Sequence, residues 1–298
     1  MSDEAGAGVA VAAVPGHVTG LFSVHRDPDP RAAGSRGAGI TLTDGVRVEV
    51  ARAEGTAGVW LDGRRAEVAP VAGVIDAFDP PAAVRVESDL PVGAGFGVSG
   101  AAALGTALAA NAAFGAGYSE NDLIGLAHAA EVEAGTGLGD VVAQARGRAP
   151  IRVDPGAPGH GLLDGMPVGP DRRIEYVSFG EVSTERVVGG DTEGLTRAGE
   201  AALDRLRERP TLDRFVTCSR RFADEAGLLT DRAGEAVAAA EAAGGSAAMA
   251  MLGDTAFAVG TGLSDAGYDP AVCSVHPRGA ALVRAGPGNG SADRSESG

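Results

Sequence analysis

The fold is decided by the stretch Ser88-Asp-Leu-Pro-Val-Gly-Ala-Gly-Phe-Gly-Val-Ser-Gly-Ala-Ala-Ala-Leu-Gly-Thr106, which follows a β-like run and leads into an alanine-rich run typical of a helix. The turn is almost bare of side chains because it contains Gly93, Gly95, Gly97 and Gly100. Bare backbone approaches an anion closely and adopts positive φ. The helix that begins near Ser99 directs free N–H groups and the positive end of its dipole at the same place. Strand, glycine turn and helix N-terminus therefore predict a phosphate site, in which Ser99 holds a phosphate oxygen or a metal ion.

Two other phosphate motifs and one ligand-free interpretation compete with this one. The segment Gly95–Gly100 fits the G-x-G-x-x-G of dinucleotide-binding proteins, but that motif needs a second strand ending in an acid about 20 residues further on. Glu120 and Asp122 stand at that distance and open another helix instead. The Walker A loop requires a lysine, and the chain contains none. A turn that only packs a helix is disfavoured, because ordering four glycines within eight residues costs backbone entropy.

The charge of the chain limits its partners. Its 298 residues carry a net charge of −15, and all 25 basic residues are arginines. A strongly acidic surface without lysine indicates adaptation to high salt, which screens the repulsion between carboxylates. Nucleic acids and anionic membranes need basic patches, so neither is an expected partner. Two distant cysteines, Cys218 and Cys273, and the lack of a long apolar run predict a soluble protein of the reducing cytoplasm.

Three carboxylates surround a second glycine-rich break, Gly135–Gly139. Glu131 stands on a helix dominated by Ala, Leu and Ile, so it is either solvated on the outer face or kept for a metal ion. Together with Ser99 it would supply the carboxylate and hydroxyl oxygens that a divalent ion beside a phosphate needs. Asp140 opens a helix after the break, where it either accepts a proton from a substrate hydroxyl or caps the helix. Glu133 is interpreted as a surface charge.

Two glycine-containing turns near the N-terminus carry candidate substrate-binding side chains. The first predicted strand ends in the turn Pro15–Gly20, which presents His17 and Thr19. A second glycine loop, Gly34–Gly39, contains Arg36, and a guanidinium on a bare loop suits a carboxylate or a phosphate. The alternatives are a backbone hydrogen bond for His17 and a surface salt bridge for Arg36.

Helix and strand patterns continue along the rest of the chain. A hairpin is predicted at Asp44-Gly45, between the strand-like runs Ile40–Thr43 and Val46–Val50. Residues 155–170 are rich in Gly and Pro and are the best candidate for a linker. The helices expected beyond it are 193–208, 212–226 and 231–243. The strands expected there are 174–179, 247–252, 255–259, 272–275 and 280–283.

These motifs together resemble those of the GHMP kinase superfamily, which includes galactokinase, homoserine kinase and mevalonate kinase. The central superfamily motif, P-x-x-x-G-[LF]-G-S-S-A, is similar to Pro91–Ala101, where Val98 replaces the first serine and Ser99 is the second. Ala127–Glu131 and Gly139-Asp140 are similar to the helix and glycine break of the family. Within the superfamily, the segments that resemble archaeal pantoate kinases are 15–22, 34–39, 136–140 and 249–254, and the lack of lysine is typical of a haloarchaeal member.

The resemblance implies a two-domain α+β fold with the active site in a cleft between the domains. The expected division is an N-terminal domain of residues 1–160, which carries the ATP-phosphate loop and the catalytic residues, and a C-terminal α+β domain of residues 161–285. Residues 286–298 are expected to be a disordered tail, because they are polar and glycine-rich.

The implied reaction is ATP-dependent phosphorylation of (R)-pantoate to (R)-4-phosphopantoate, a step toward coenzyme A. ATP and Mg²⁺ are the implied cofactors, with Ser99 and Glu131 on the metal and Asp140 as the catalytic residue. The phosphate-binding residues are expected to be Pro91, Gly93, Gly95, Gly97, Ser99 and Gly100. The expected pantoate-binding residues are His17, Thr19 and Arg36. Relatives suggest a homodimer, and two alternatives stay open: a GHMP kinase for another small hydroxy acid or alcohol, such as homoserine or mevalonate, and a non-catalytic nucleotide-binding paralogue.

Overall fold

The computed structural model describes residues 8–53, 55, 57–79, 81–181 and 190–285, which form two sheets and the helices that cover them. The strands are β1 Val9–His25, β2 Gly34–Arg52, β3 Gly58–Leu61, β4 Arg64–Ala66, β5 Ala82–Ser88, β6 Pro150–Asp154, β7 Leu162–Gly165, β8 Arg173–Glu181, β9 Ser246–Ala250, β10 Gly253–Val259, β11 Ala271–Ser274 and β12 Ala281–Ala285. The helices are α1 Ala69–Ile75, α2 Val98–Phe114, α3 Glu120–Ala134, α4 Asp140–Arg146, α5 Glu193–Glu208, α6 Leu212–Glu225, α7 Asp231–Ala242 and α8 Gly262–Asp265. This arrangement confirms the expected α+β class.

The larger sheet is built on the antiparallel pair of β1 and β2, which are 17 and 19 residues long. Its order is β12-β1-β2-β5-β3-β4, and the β6–β7 pair joins it at the first half of β2. The predicted turns at Pro15–Gly20 and Gly34–Gly39 are wrong, because both segments lie inside this pair. Register shifts beside Pro15 and after Thr19 bend the strands where the glycines suggested breaks.

The hairpin predicted at Asp44-Gly45 is also wrong. Strand β2 runs through both residues and pairs with β5 from Val46 onward. The register shift beside Pro15 accommodates the extra residues on β2. The carboxylate of Asp44 accepts a hydrogen bond from the hydroxyl of Tyr176 at 2.8 Å, which ties β2 to β8 in the smaller sheet. A dipeptide that usually marks a hairpin therefore lies here at a bulge between the two sheets.

Helix α2 carries the glycine turn at its N-terminus and lies tightly on the larger sheet. The helix is rich in alanine, and most of its residues are buried. A Cβ at Gly105 would lie only 2.5 Å from Cγ2 of Val48, so glycine is what allows this approach of helix to sheet. Helix α3 packs against α2 and begins with a reciprocal capping box, in which Ser119 and Asp122 bond each other's backbone N–H groups. The phosphate turn is therefore held on a rigid helix pair.

The smaller sheet has the order β11-β8-β10-β9 and is covered by α6 and α7. The helices predicted at 193–208, 212–226 and 231–243 match α5, α6 and α7 to within one residue. Strand β1 contributes to this half as well, because Phe22 stacks edge-to-face on Phe222 of α6 with ring centroids 5.5 Å apart. The larger of two hydrophobic clusters among the described residues extends through both sheets, and the smaller one lies between the smaller sheet and α7.

The topology excludes a dinucleotide-binding unit at the glycine turn. Strand β5 pairs antiparallel with β2, and α2 is followed by α3 instead of a strand. The division predicted at residue 160 stays a prediction, although β7 and β12, which lie beyond it in sequence, both pair within the larger sheet. The tail predicted at 286–298 lies outside the described residues.

Candidate active site

The glycine turn lies between β5 and α2 and has the backbone conformation that the sequence predicts. Gly93, Gly95 and Gly97 have φ angles of +76°, +88° and +64°, which side chains other than glycine rarely adopt. Gly97 occupies the position before α2 and offers no side chain to cap the helix. The N–H groups of the first helical turn are therefore presented to a ligand without competition from a capping side chain.

A cleft of about 550 Å³ opens in front of the turn. The predicted residues that line it are Thr19, Gly93, Gly95, Gly97, Ser99 and Asp140. The cleft is also lined by Met251 and Leu252 in the turn between β9 and β10 and by Glu181 at the end of β8. The phosphate turn, the expected catalytic carboxylate and the smaller sheet thus meet at one cavity.

Glu131 lies behind Ser99 and is only 2% exposed. Its carboxylate accepts a hydrogen bond from Ser99 and another, of 3.0 Å, from the hydroxyl of Thr136. Burial, with the negative charge of Asp140, raises the pKa of Glu131 to about 7, and the two hydrogen bonds oppose that rise only in part. A buried carboxylate that lacks a cationic partner among the described residues and is hydrogen-bonded to Ser99 of the phosphate turn is a suitable ligand for a divalent ion.

Asp140 is the first residue of α4 and is held by two side chains of β1. Its Oδ1 accepts a hydrogen bond of 2.7 Å from Nδ1 of His17 and lies 3.5 Å from the hydroxyl of Thr19. Burial alone would raise the pKa of Asp140, but the hydrogen bond from His17 and the positive charge of Arg152 outweigh burial and lower it. Asp140 is therefore ionised and oriented, with 21% of its side chain exposed to the cleft.

His17 is fully buried and contacts Asp140 where a substrate contact was expected. Burial lowers the pKa of His17, although Asp140 acts in the opposite direction, so the ring is neutral at pH 7. Its Nε2 has no hydrogen-bond partner among the described residues and packs on Gly39, where a Cβ would lie 2.2 Å away. In this structure His17 therefore orients the carboxylate of Asp140, and its expected contact with pantoate stays a prediction. Gly39, which suggested a loop, leaves room for the His17 ring.

Arg152 on β6 is a site residue that the sequence did not reveal. It is 2% exposed, and its Nε donates a hydrogen bond of 3.2 Å to the hydroxyl of Ser35. Its Nη1 has no partner in the described part of the chain. A small cavity of about 20 Å³ lies between Arg152, Thr19 and Asp140. The sequence signal for Arg152 was its position between the apolar residues Ile151 and Val153. An arginine buried in such a strand needs an anionic or hydrogen-bonding partner.

Arg36 lies on β2 with its side chain directed toward α5. Its Nε donates a hydrogen bond of 2.7 Å to the carbonyl of Val153, and its Nη1 lies 3.8 Å from the carboxylate of Glu200. The neighbouring residue Ser35 points to the opposite face of the sheet, because successive side chains of a strand alternate. Its hydroxyl accepts the hydrogen bond from Arg152. Of these two guanidinium groups, the one that acts electrostatically on Asp140 is that of Arg152, and the substrate role expected of Arg36 stays a prediction.

The chain matches the model of the GHMP kinases N-terminal domain over residues 67–148. It is 33% identical over 254 residues to the pantoate kinase of Methanocaldococcus jannaschii, which covers 82% of this chain and 90% of the relative. The pantoate kinase of Thermococcus kodakarensis is 35% identical over 229 residues, or 72% of this chain and 75% of that protein. The chain belongs to the pantoate kinase family of GHMP kinases. The protein is accordingly an ATP-dependent phosphotransferase that acts on an alcohol group.

Solved structures agree with the assignment of this chain to the pantoate kinase family. A phosphotransferase related to the coenzyme A biosynthesis pathway superposes with a TM-score of 0.82 at 29% identity, covering 92% of this chain and 98% of that one. The homoserine kinase of Cytophaga hutchinsonii, at 16% identity and a TM-score of 0.66, covers 95% of this chain and 99% of its own and shares the fold alone. Across the described residues, every helix is too short or too polar to cross a membrane.

Proposed function

We propose that this protein transfers the γ-phosphoryl group of ATP to the 4-hydroxyl of (R)-pantoate, a step toward coenzyme A. The observation that carries the substrate assignment is the buried guanidinium of Arg152 beside the carboxylate of Asp140. A hydroxy acid has one anionic group and one nucleophilic hydroxyl, and this pair offers a partner to each. The relatives at 32–35% identity supply the name of the acid.

The backbone N–H groups of the glycine turn and of the first turn of α2 bind the phosphates of ATP. Arg152 binds the carboxylate of the acceptor in this proposal, since its Nη1 is unpaired among the described residues and its side chain lines the small cavity beside Asp140. Thr19, at the mouth of that cavity, is within reach of an acceptor hydroxyl. Two separate anion sites therefore fix the donor and the acceptor on the two sides of Asp140.

Asp140 orients the acceptor hydroxyl and takes its proton as the oxygen bonds to the γ-phosphorus. The bond between that phosphorus and the β–γ bridging oxygen breaks, and ADP leaves. His17 holds the Asp140 carboxylate through Nδ1, so one oxygen is fixed and the other is left for the substrate. Positioning and charge neutralisation supply most of the rate in phosphoryl transfer, and base catalysis adds to them.

The residues at the turn fit a magnesium ion. Ser99 and Glu131 offer one hydroxyl and one carboxylate, and Mg²⁺ characteristically combines one or two protein oxygens with phosphate oxygens and water. When bound, the ion would neutralise charge on the β- and γ-phosphates. The pKa of about 7 for Glu131 means that the carboxyl is ready to ionise when a cation arrives.

A coupled ADP-release assay at molar KCl tests the proposal. The acceptors to compare are pantoate, pantoamide, homoserine and mevalonate, with pantoamide as the matched control because it keeps the carbon skeleton and both hydroxyls and lacks the carboxylate. Turnover of pantoate far above the other three is the expected result. Preference for homoserine or mevalonate would favour a different GHMP kinase activity, and nucleotide binding without any turnover would favour a non-catalytic paralogue. The homodimer expected from relatives is a separate proposal, which sedimentation of the purified protein decides.

A further inference from the structure

Gln144 is a buried polar residue of α4 that the proposed mechanism does not use. Its side-chain Nε2 donates a hydrogen bond of 2.9 Å to the main-chain carbonyl of Gly97, in the phosphate turn. The residue has no solvent exposure, and its Oε1 lies unpaired among the described residues. Polar side chains that are buried so deeply are nearly always hydrogen-bonded, because an unpaired buried polar group destabilises the fold. The bond crosses 47 residues of sequence and joins the catalytic helix to the turn.

Gly97 is the residue on which this contact acts. Its backbone is left-handed, with φ 64° and ψ 33°, and its carbonyl also accepts the first helical hydrogen bond from Ala101 at 2.9 Å. A Cβ at Gly97 would lie 3.0 Å from Cβ of Asp140 and 3.1 Å from Nε2 of Gln144. Gly97 therefore rests directly on α4, and the orientation of its peptide sets the direction of the N–H groups that follow.

Asp140 and Gln144 stand one helical turn apart, so they project from the same face of α4. One addresses the acceptor, and the other holds the turn that binds the donor. The far end of α4 is fixed as well, because the carbonyl of Gln144 accepts a hydrogen bond of 2.9 Å from the N–H of Ala280. The distance between the two reactant sites is thus set by a single short helix.

We propose that Gln144 is a positioning residue for the nucleotide, whose side-chain amide holds Gly97 so that the phosphate-binding N–H groups keep a fixed place relative to Asp140. This role rests on the proposed function, since it requires that the phosphates of the nucleotide bind at this turn. Glutamine is suited to the position because it donates to a carbonyl without carrying a charge. A glutamate there would ionise beside that carbonyl and beside the ionised Asp140.

The test measures the Kd of the non-hydrolysable analogue AMP-PNP by calorimetry, so it does not depend on which acceptor the enzyme uses. Gln144→Met keeps the volume and removes the donor, and we expect its Kd to rise about 10-fold, the effect of losing one hydrogen bond. The KM for pantoate should stay close to that of the wild type. Val142→Ala is the matched control, because Val142 is buried on the same helix away from the turn and tests for simple loosening of α4.

Gln144→Glu supplies a signature that a purely structural role would not give. A protonated glutamic acid still donates to the carbonyl of Gly97, and an ionised one repels it. The ratio of its Kd to that of the wild type should be near one at low pH and should rise with pH. Taking the ratio cancels the titrations of the groups facing this region, namely Glu131 on α3, His17 on β1 and Asp140 on α4. At low pH this variant should also bind more tightly than Gln144→Met.

Two results would overturn the proposal: a folded Gln144→Met protein with the wild-type Kd, or a Gln144→Glu ratio that does not change with pH. If Gln144→Met does not fold, the pH series on Gln144→Glu alone decides. Failure of the proposed function looks different. In that case the wild type binds AMP-PNP and either prefers homoserine or mevalonate or phosphorylates no acceptor, while the effect of Gln144 on Kd is still measurable.

Discussion

The buried carboxyl group of Glu131 makes the free energy of unfolding depend on pH. Burial raises its pKa from the ordinary 4.5 to about 7 in the folded protein. The folded state therefore binds the proton more tightly than the unfolded state. The proton stabilises the fold fully below the ordinary pKa, and this contribution is lost as the pH rises through 7. At about 1.4 kcal/mol per pKa unit, the difference between the two states amounts to about 3 kcal/mol of unfolding free energy.

Urea denaturation of the wild type and Glu131→Gln, without Mg²⁺ or nucleotide and at constant KCl, tests this value. The amide cannot ionise, so between about pH 4.5 and pH 8.5 the wild type should lose about 3 kcal/mol relative to the variant. Comparing the two proteins at each pH removes the contributions of all other titrating groups. Glu133→Gln, an exposed carboxylate two residues along the same helix, is the control and should follow the wild type. A constant difference between wild type and Glu131→Gln across this range would refute the burial-raised pKa.

Three further outcomes follow from the site and the composition. Asp140→Asn should lower kcat about 10²–10⁴-fold; a loss of only a few-fold would mean that positioning and charge neutralisation suffice and that Asp140 is structural, as the partner of His17. Arg152→Met should raise the KM for pantoate about 10-fold or more and leave the KM for ATP nearly unchanged. Arg36→Met should raise the KM for pantoate less, and equal effects of the two variants would mean that Arg36 also binds the carboxylate. The melting temperature should rise with KCl, because salt screens the net charge of −15, and a flat response between dilute and molar KCl would contradict the halophilic interpretation.

The glycine turn and its helix could be predicted from sequence because their information is local. Strand, glycine spacing and the alanine-rich run all lie between Ala83 and Phe114, and the capping box at Ser119 adds a local start signal for α3. The amphipathic helices α5 and α6 were placed to within one residue for the same reason. Local patterns with the period of a helix survive in the fold, because tertiary contacts only choose which face is buried.

The long pair of β1 and β2 could not be predicted, since its glycines have a use that only the tertiary structure reveals. Gly39 leaves space for the ring of His17, and Gly37 would place a Cβ 2.2 Å from the carbonyl of Leu21. Sequence patterns cannot separate a glycine that breaks a strand from one that admits a close neighbour. The same limit applies to Arg152, whose hydrogen-bond partner Ser35 is 117 residues away in sequence.

The charges at the cleft determine how a chain without lysine can bind a triphosphate. Asp140 and Glu181 bring carboxylates to the cleft, and Arg152 lines the small cavity that the proposed function gives to the acceptor. In the proposed mechanism the phosphates therefore depend on backbone N–H groups, on the dipole of α2 and on a divalent cation for neutralisation. Backbone donors work only where the peptides are held in place, which is the task of Gly97 and of the amide of Gln144 that fixes it. Among the described residues that line the cleft none is basic, so the proposed phosphate site needs a rigid turn, and α4 supports that turn from the same face that carries Asp140.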